Sequence, residues 1–277
     1  AGKNRGRSMA RYARYMRDQV TELLTQYGEI DILWFDFSYP PPPEDPGNAE
    51  KGKGHLQWES EALVRLVREL RPGIIIDNRL DLPCGDIVTP EQYTPENELL
   101  SGEGEPLVWE GCQTFSGSWG YFRDETSWKS PEQCLEMLIN HVSRNGNLLM
   151  NVGPTSRGYL DSRAMDRLQV YAEWMKYHSR SIYGCGKVPA GYPEPRDCRY
   201  TWNPEKNLLY VHVFAWPFGS IRLPGLAGKI RYAQLLSDGS EIGFRNQEEN
   251  NAVILSLPVL KPDSLVPVIE LFLEEPL

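Results

Sequence analysis
Two hydrophobic periods alternate along the first two thirds of the chain. Met9, Tyr12, Ala13, Met16, Val20, Leu23, Leu24 and Tyr27 recur at three- and four-residue steps, which predicts an amphipathic helix from about Ser8 to a stop at Gly28. Glu29-Ile-Asp-Ile-Leu-Trp-Phe-Asp36 follows, a short apolar run that ends in a carboxylate and reads as a buried strand. The proline run Pro40 to Pro43 and a Gly/Lys-rich stretch to His55 predict a long loop. Leu63, Leu66, Val67 and Leu70 then share one face of a second helix.

Gly73-Ile-Ile-Ile-Asp-Asn78 predicts a second buried strand, residues 86–90 a short third that delivers Glu91, residues 106–110 a fourth, and residues 147–152 a fifth. Ser130-Pro131-Glu132-Gln133 supplies a Ser cap, a proline at the first helical position and the Gln of a capping box, so a helix runs from there to about Arg144. A long final helix is predicted from Asp161 to Tyr183. Strand and helix alternate throughout, the pattern of a parallel α/β sheet. After Gly184 the texture changes: residues 208–214, 230–236, 252–257 and 268–273 are short apolar or alternating runs between Gly, Pro, Asn and Asp turns, the pattern of a small antiparallel β domain. The expected division is therefore residues 1–184 and 185–277.

Composition and charge narrow what such a protein does. With 277 residues, 40% of them apolar and 11% aromatic, there is material for two cores. A net charge of −9 argues against tracking a phosphate backbone and favours a neutral or polar substrate. The one basic cluster, Lys3, Arg5, Arg7, Arg11, Arg14 and Arg17, reads as the solvated face of the first helix rather than a nucleic-acid or membrane patch. Five cysteines, Cys84, Cys112, Cys134, Cys185 and Cys198, are widely spaced without a C-x-x-C pair, so neither a zinc site nor a disulfide framework is expected. Free thiols favour a cytoplasmic location, with a secreted protein carrying one bridge as the alternative. No run is apolar and long enough to cross a bilayer, Ala1-Gly2-Lys3 carries no signal-peptide core, and the missing Met suggests a processed or trimmed start.

The candidate chemistry begins at Asp36. In parallel α/β folds the C-terminal strand ends form the working face, so a carboxylate there is either catalytic or a cap on the next turn. His55, His141, His178 and His212 are scattered without partners at ligand or triad spacing and read as structural. Asn145-Gly-Asn147 lacks the Lys-Ser/Thr of a phosphate loop and reads as a turn into a strand. Neither metal nor cofactor is expected.

Several blocks together carry a resemblance. Tyr27-Gly-Glu-Ile-Asp-Ile-Leu-Trp-Phe-Asp36, Asp77-Asn-Arg79, Thr89-Pro-Glu91-Gln-Tyr93, Trp109-Glu110, Gly117-Ser-Trp-Gly-Tyr121 and Asn145-Gly-Asn-Leu-Leu-Met-Asn-Val-Gly-Pro154 resemble, in order and spacing, the α-L-fucosidases of glycoside hydrolase family 29. The resemblance extends over essentially the whole chain and implies a retaining exo-hydrolase that acts on terminal α-L-fucosyl residues of a glycan or fucoside. It implies Asp36 as the nucleophile that forms a covalent fucosyl-enzyme intermediate, with Trp34 lining the sugar pocket. It implies Glu91 as the acid/base, with Glu110 as the alternative and Glu96, Glu98, Glu103 and Glu105 behind it. Arg79 is implied to grip sugar oxygens, with a structural salt bridge as its other reading, and Trp119 to face the fucose methyl, with a core tryptophan as its other reading.

The chain also departs from the family pattern. A family member begins with three strand–helix units carrying an H-W-G-like segment, a Glu-Trp and an H-H-D-G-like segment, none of which is present here. About five strands are expected where a closed (β/α)8 barrel has eight, so the expected fold is an incomplete TIM-type barrel followed by a β-sandwich. An open sheet edge needs covering, by self-association, by a separately encoded N-terminal half or by loops of a truncated barrel, and self-association to a homo-oligomer is the first expectation. The functional alternative is a catalytically inert carbohydrate-binding or subunit protein derived from a fucosidase.

Overall fold
Ser8 caps the first helix by accepting a hydrogen bond from the Arg11 N–H (3.3 Å), and α1 runs Met9–Gln26 in a computed structural model that describes residues 6–277. Gly28, at φ 87°, takes the left-handed conformation that ends the segment. The buried stripe of α1 is narrower than the periodicity predicts: Ala13, Val20 and Leu24 are buried, while Tyr12, Leu23 and Tyr27 are exposed. Lys3 and Arg5 lie outside the described residues, Arg7, Arg11 and Arg14 face solvent, and Arg17 pairs with Glu59 at 2.5 Å.

A one-turn helix α2 (His55–Trp58) leads into α3 (Ser60–Leu70), whose Leu63 and Val67 close a core with Val20, Leu24, Ile74 and Ile76. Strands β1 (Ile32–Leu33) and β2 (Ile75–Ile76) pair in parallel, Ile32 with Ile75 and Leu33 with Ile76. The expected buried strand of residues 29–36 is thus two residues long, and Ile32 is 45% exposed. Among the described residues β2 is its only ladder neighbour. The expected third strand is reduced to one bridge, Asp77 with Ile87. These elements make up the first of two compact units, Ala1–Thr89; the second is Pro90–Leu277.

In the second unit β3 (Trp109–Thr114) and β4 (Gly146–Asn151) pair in parallel in one register. The strand expected at residues 106–110 instead begins near where it was expected to end. The preceding segment folds back on itself, Leu107 N–H donating to the Leu99 carbonyl (2.9 Å) and Leu100 bridging Pro106. Helix α4 (Pro131–Val142) forms on its capping box, Gln133 N–H to Ser130 Oγ (3.2 Å) and Ser130 N–H to Gln133 Oε1 (2.7 Å). The fully buried Trp109 ring lies 5.2 Å from the His141 ring of α4 and donates its indole N–H to the Arg144 carbonyl (3.1 Å). Helix α5 (Ser162–His178) ends five residues before the expected Tyr183, in a short 3₁₀ turn, and Trp174 reaches the Val266 carbonyl (2.8 Å).

The remainder is all β. One sheet has the order β5 (Cys198–Asn203), β6 (Leu208–Val213), β11 (Val268–Leu273), β8 (Ile230–Leu235), and the other β7 (Ser220–Pro224), β10 (Ala252–Ser256), β9 (Gly243–Gln247), all antiparallel. Tyr200, Leu209 and Val211 of the first sheet share one core with Leu223, Val253 and Leu255 of the second, which makes this part a sandwich. Strands β5, β7 and β9 escaped the sequence reading. Gly243–Gln247 has one apolar residue in five, and as an edge strand of a small sheet it needs no more.

Three histidines are buried here as neutral rings. His141 and His178 each bond a helix carbonyl through Nδ1 (2.7 and 2.9 Å), and His212 meets Thr201 Oγ1 at 2.9 Å. Burial pushes all three down from the usual histidine value, His212 to about 3. In the unfolded chain they protonate near 6.5, so the stability due to their neutral burial is complete above that pH and is lost as pH falls from 6.5 toward 3. His212, with the widest window, is expected to contribute a loss of about 1.4 kcal/mol per pH unit within it. Urea titrations followed by tryptophan fluorescence should show the midpoint falling across this range, and His212→Gln should flatten the dependence.

Candidate active site
The β1–β2 ladder stops at Leu33 and Ile76, and side chains take over where the backbone pairing ends. Asp77 Oδ1 accepts the Phe35 N–H (3.2 Å), fastening the strand tip that carries Asp36. Asp77 is fully buried, and the loss of solvent around its carboxyl raises it to about 6, against the lowering effect of the Phe35 N–H and the Arg79 charge.

Arg79 comes from the same turn and is the centre of the site. Its side chain is 3% exposed, whereas that of Asp36 is 93% exposed, and Nη1 donates to Asp36 Oδ1 at 3.4 Å. The guanidinium lies over the Trp34 ring (4.3 Å) and over the Phe37 ring (3.7 Å). Nε donates to Thr89 Oγ1 (2.8 Å) and Nη2 to the Thr89 carbonyl (3.4 Å). Thr89 Oγ1 in turn donates to Asn78 Oδ1 (2.9 Å), so the hydroxyl accepts one bond and gives one. A positive group fixed on three sides is therefore presented to a carboxylate standing in solvent. That arrangement holds a cation beside the exposed carboxylate and aims it.

Trp34, Asp36 and Arg79, predicted separately, are thus brought together. Phe37, Asn78, Asp77 and Thr89 complete the cluster and had no predicted role. The signal for three of them was present as the polar run that interrupts the apolar strand at Asp77-Asn78 and as the Thr before Pro90.

The other predicted residues lie in the second unit. Glu91 bridges Cys112 of β3 in parallel, with Gln92 N–H to the Cys112 carbonyl (2.9 Å) and Cys112 N–H to the Pro90 carbonyl (2.8 Å). Gln92 then turns at φ 61°, a left-handed conformation costing a non-glycine residue about 1–2 kcal/mol, and its amide donates to Thr114 Oγ1 (3.0 Å). Glu110 is the second residue of β3, toward its N-terminal end rather than at the C-terminal tip where it was expected. Trp109 and Gly111 face α4, so alternation turns Glu110 and Cys112 to the opposite side of the sheet. Glu98 is held by Lys187 (2.9 Å) and Asn145, a structural pairing. Glu96, Glu103 and Glu105 are exposed.

Trp119 is 41% exposed on the loop after β3, so its core reading does not hold. Asn151 Nδ2 donates to its carbonyl (2.6 Å), and Gly153 packs so closely on Gly120 that a Cβ would lie 2.5 Å from its carbonyl carbon. Glu125 anchors the same loop by accepting from Ser118 Oγ (2.6 Å) and Ser127 N–H (2.8 Å), and these donors hold its carboxyl down at about 2. Among the described residues no group of three His, Cys, Asp or Glu side chains is placed to hold a metal ion, and no helix is long and apolar enough to cross a membrane.

Comparison with known proteins bears on this geometry. Residues 1–180 match the family model described as Alpha-L-fucosidase. Over 253 residues the chain is 30% identical to the plasma alpha-L-fucosidase of Rattus norvegicus, covering 87% of this chain and 52% of that one. The solved structure of alpha-L-fucosidase isoenzyme 1 from Paenibacillus thiaminolyticus superposes with a TM-score of 0.85 at 37% identity, over 99% of this chain and 65% of that chain. That of Thermotoga maritima alpha-fucosidase in complex with a mechanism-based inhibitor gives 0.71 at 25% identity, over 95% and 57%. The chain spans about a third to a half of the length of the curated relatives it matches. With a family model over well more than half of its residues and relatives of the same name along nearly its full length, this chain belongs to the α-L-fucosidase family.

Proposed function
We propose that the chain acts as a retaining exo-α-L-fucosidase on terminal α-L-fucosyl residues, with Asp36 as nucleophile and Glu91 as acid/base. The observation that carries this reading is the buried Arg79 guanidinium aimed at the solvent-exposed Asp36 carboxylate at a strand tip. A retaining reaction asks of Asp36 an ionised oxygen that attacks the anomeric carbon and leaves again when water enters. It asks of Glu91 a proton for the departing oxygen and, in the second step, a base for that water. Glu110 remains the alternative acid/base, and its place near the start of β3 counts against it. Trp34, Arg79 and Trp119 are the proposed sugar contacts.

In the same reading the parallel pairs β1–β2 and β3–β4 belong to an incomplete (β/α)8 barrel within residues 1–184, with the β-sandwich as a second domain at 185–277. A second copy of the chain covers the open sheet edges, giving a homo-oligomer, and the thiols point to a cytoplasmic location. The other reading is a catalytically inert carbohydrate-binding or subunit protein.

Turnover of 4-nitrophenyl α-L-fucoside measured over a wide range of protein concentration separates the two. Specific activity is expected to rise with concentration as copies associate. A chain that fails to turn the fucoside over at any concentration would overturn the proposal in favour of the inert reading.

A further inference from the structure
Beyond Asp36 the chain carries a second aromatic feature, and it is solvent-exposed. Phe37 and Tyr39 are 38% and 71% exposed, with ring centroids 6.0 Å apart and planes at 45°. They are two residues apart around Ser38, a spacing that brings side chains to one side of an extended segment. The backbone under Tyr39 is clamped: its N–H donates to the Lys53 carbonyl (2.9 Å), and its carbonyl accepts the Lys53 N–H (2.5 Å). Gly52 approaches so closely that a Cβ there would lie 2.5 Å from the Tyr39 oxygen. Pro40 to Pro43 follow at once and stiffen the exit. Phe37 is backed by the Arg79 guanidinium at 3.7 Å.

An exposed aromatic pair on a rigid backbone loses little freedom when something covers it, and leaving it bare forgoes the stabilisation of its apolar area. Its position is set by chemistry already described, since Phe37 is the residue next to Asp36. We propose that Phe37 and Tyr39 form the platform for the sugar that bears the fucosyl group, binding the C–H face of a neutral pyranose while the fucosyl group sits at Asp36. A pyranose fits because one of its faces is largely C–H and its rim is hydroxyl, matching two rings that end in one phenolic oxygen. This inference rests on the proposed role of Asp36 for its orientation, but the platform itself binds sugar without any bond being broken.

The test uses the whole chain and unfucosylated N-acetyllactosamine as probe, observed by saturation-transfer NMR. Transfer to the C–H protons of one pyranose face is expected for the unmodified chain. Tyr39→Ala is expected to weaken binding about tenfold, and Tyr39→Phe to keep most of it. Because Tyr39 is largely solvated, circular dichroism should show the same fold in all three. Absence of transfer to the unmodified chain, or equal transfer to Tyr39→Ala, would overturn the platform. So would a change in oligomeric state on Tyr39→Ala without sugar binding, which would assign the rings to a contact between copies. Release of fluoride from α-L-fucosyl fluoride reads the proposed hydrolysis separately. Tyr39-dependent binding without fluoride release keeps the platform and removes the hydrolase reading, and fluoride release without such binding does the reverse.

Discussion
Replacing Asp36 by glycine is expected to lower turnover of an aryl α-L-fucoside by about 10³-fold or more while leaving the fold intact, because the group removed is the one proposed to form the covalent intermediate. The side chain is 93% exposed and belongs to no core, so its loss creates no cavity. Its contacts are the Phe37 N–H at 2.8 Å and Arg79 at 3.4 Å. Arg79 keeps Thr89, Trp34 and Phe37 when Asp36 is gone, so a charge is not stranded without partners. Initial rates and melting temperature measured on the same preparations decide the matter. A loss of rate with an unchanged melting temperature assigns Asp36 to the chemistry; retained rate removes it from the mechanism. Mass spectrometry of the unmodified chain after rapid quenching should find the fucosyl adduct on the peptide that contains Asp36.

Gly146→Ala is expected to destabilise the second unit by about 3 kcal/mol or more, through overpacking that the surroundings cannot relieve. A Cβ at this position would lie 2.1 Å from Cζ2 of Trp109. The ring has nowhere to go. It is wholly buried, His141 packs 5.2 Å away, and its N–H is spent on the Arg144 carbonyl. Gly111, on the neighbouring strand, is in the same position toward His141, with a Cβ 2.2 Å from Nε2. Both glycines thus exist so that β3 and β4 can lie under one tryptophan and one histidine. Gly102, with no atom within 4 Å of an added Cβ, is the control, and Gly102→Ala should change stability by less than about 0.5 kcal/mol. Urea denaturation of the three proteins is the measurement. A Gly146→Ala variant as stable as the control would mean that the Trp109 packing is looser than its burial indicates.

Local pattern carried the helices and most strand positions. The three-and-four spacing over α1 and α3, and the Ser130 to Gln133 capping box, are set by residues within one or two turns, and each appears where the pattern put it. The candidate site was legible in kind because its residues sit in short runs: Asp36 ends an apolar strand, and Arg79 follows the next one. The β-sandwich was visible only in its apolar strands, since an edge strand such as β9 is under no demand to be hydrophobic.

The tertiary structure decided what depends on contacts between distant residues. Tyr12, Leu23 and Tyr27 match the helical period and are exposed nonetheless, because what covers a helix face belongs to another segment. Glu110 moved from the end of a strand to its beginning once residues 99–107 paired with one another. Arg79 became a buried, oriented cation only through Asp36, 43 residues away, and Thr89, 10 away. The sequence by itself determined which residue types stand at the strand ends, since that is written in neighbouring positions. Which of them meet, and which are stripped of water, was decided by packing, because burial and charge pairing are properties of the folded arrangement and have no local signature.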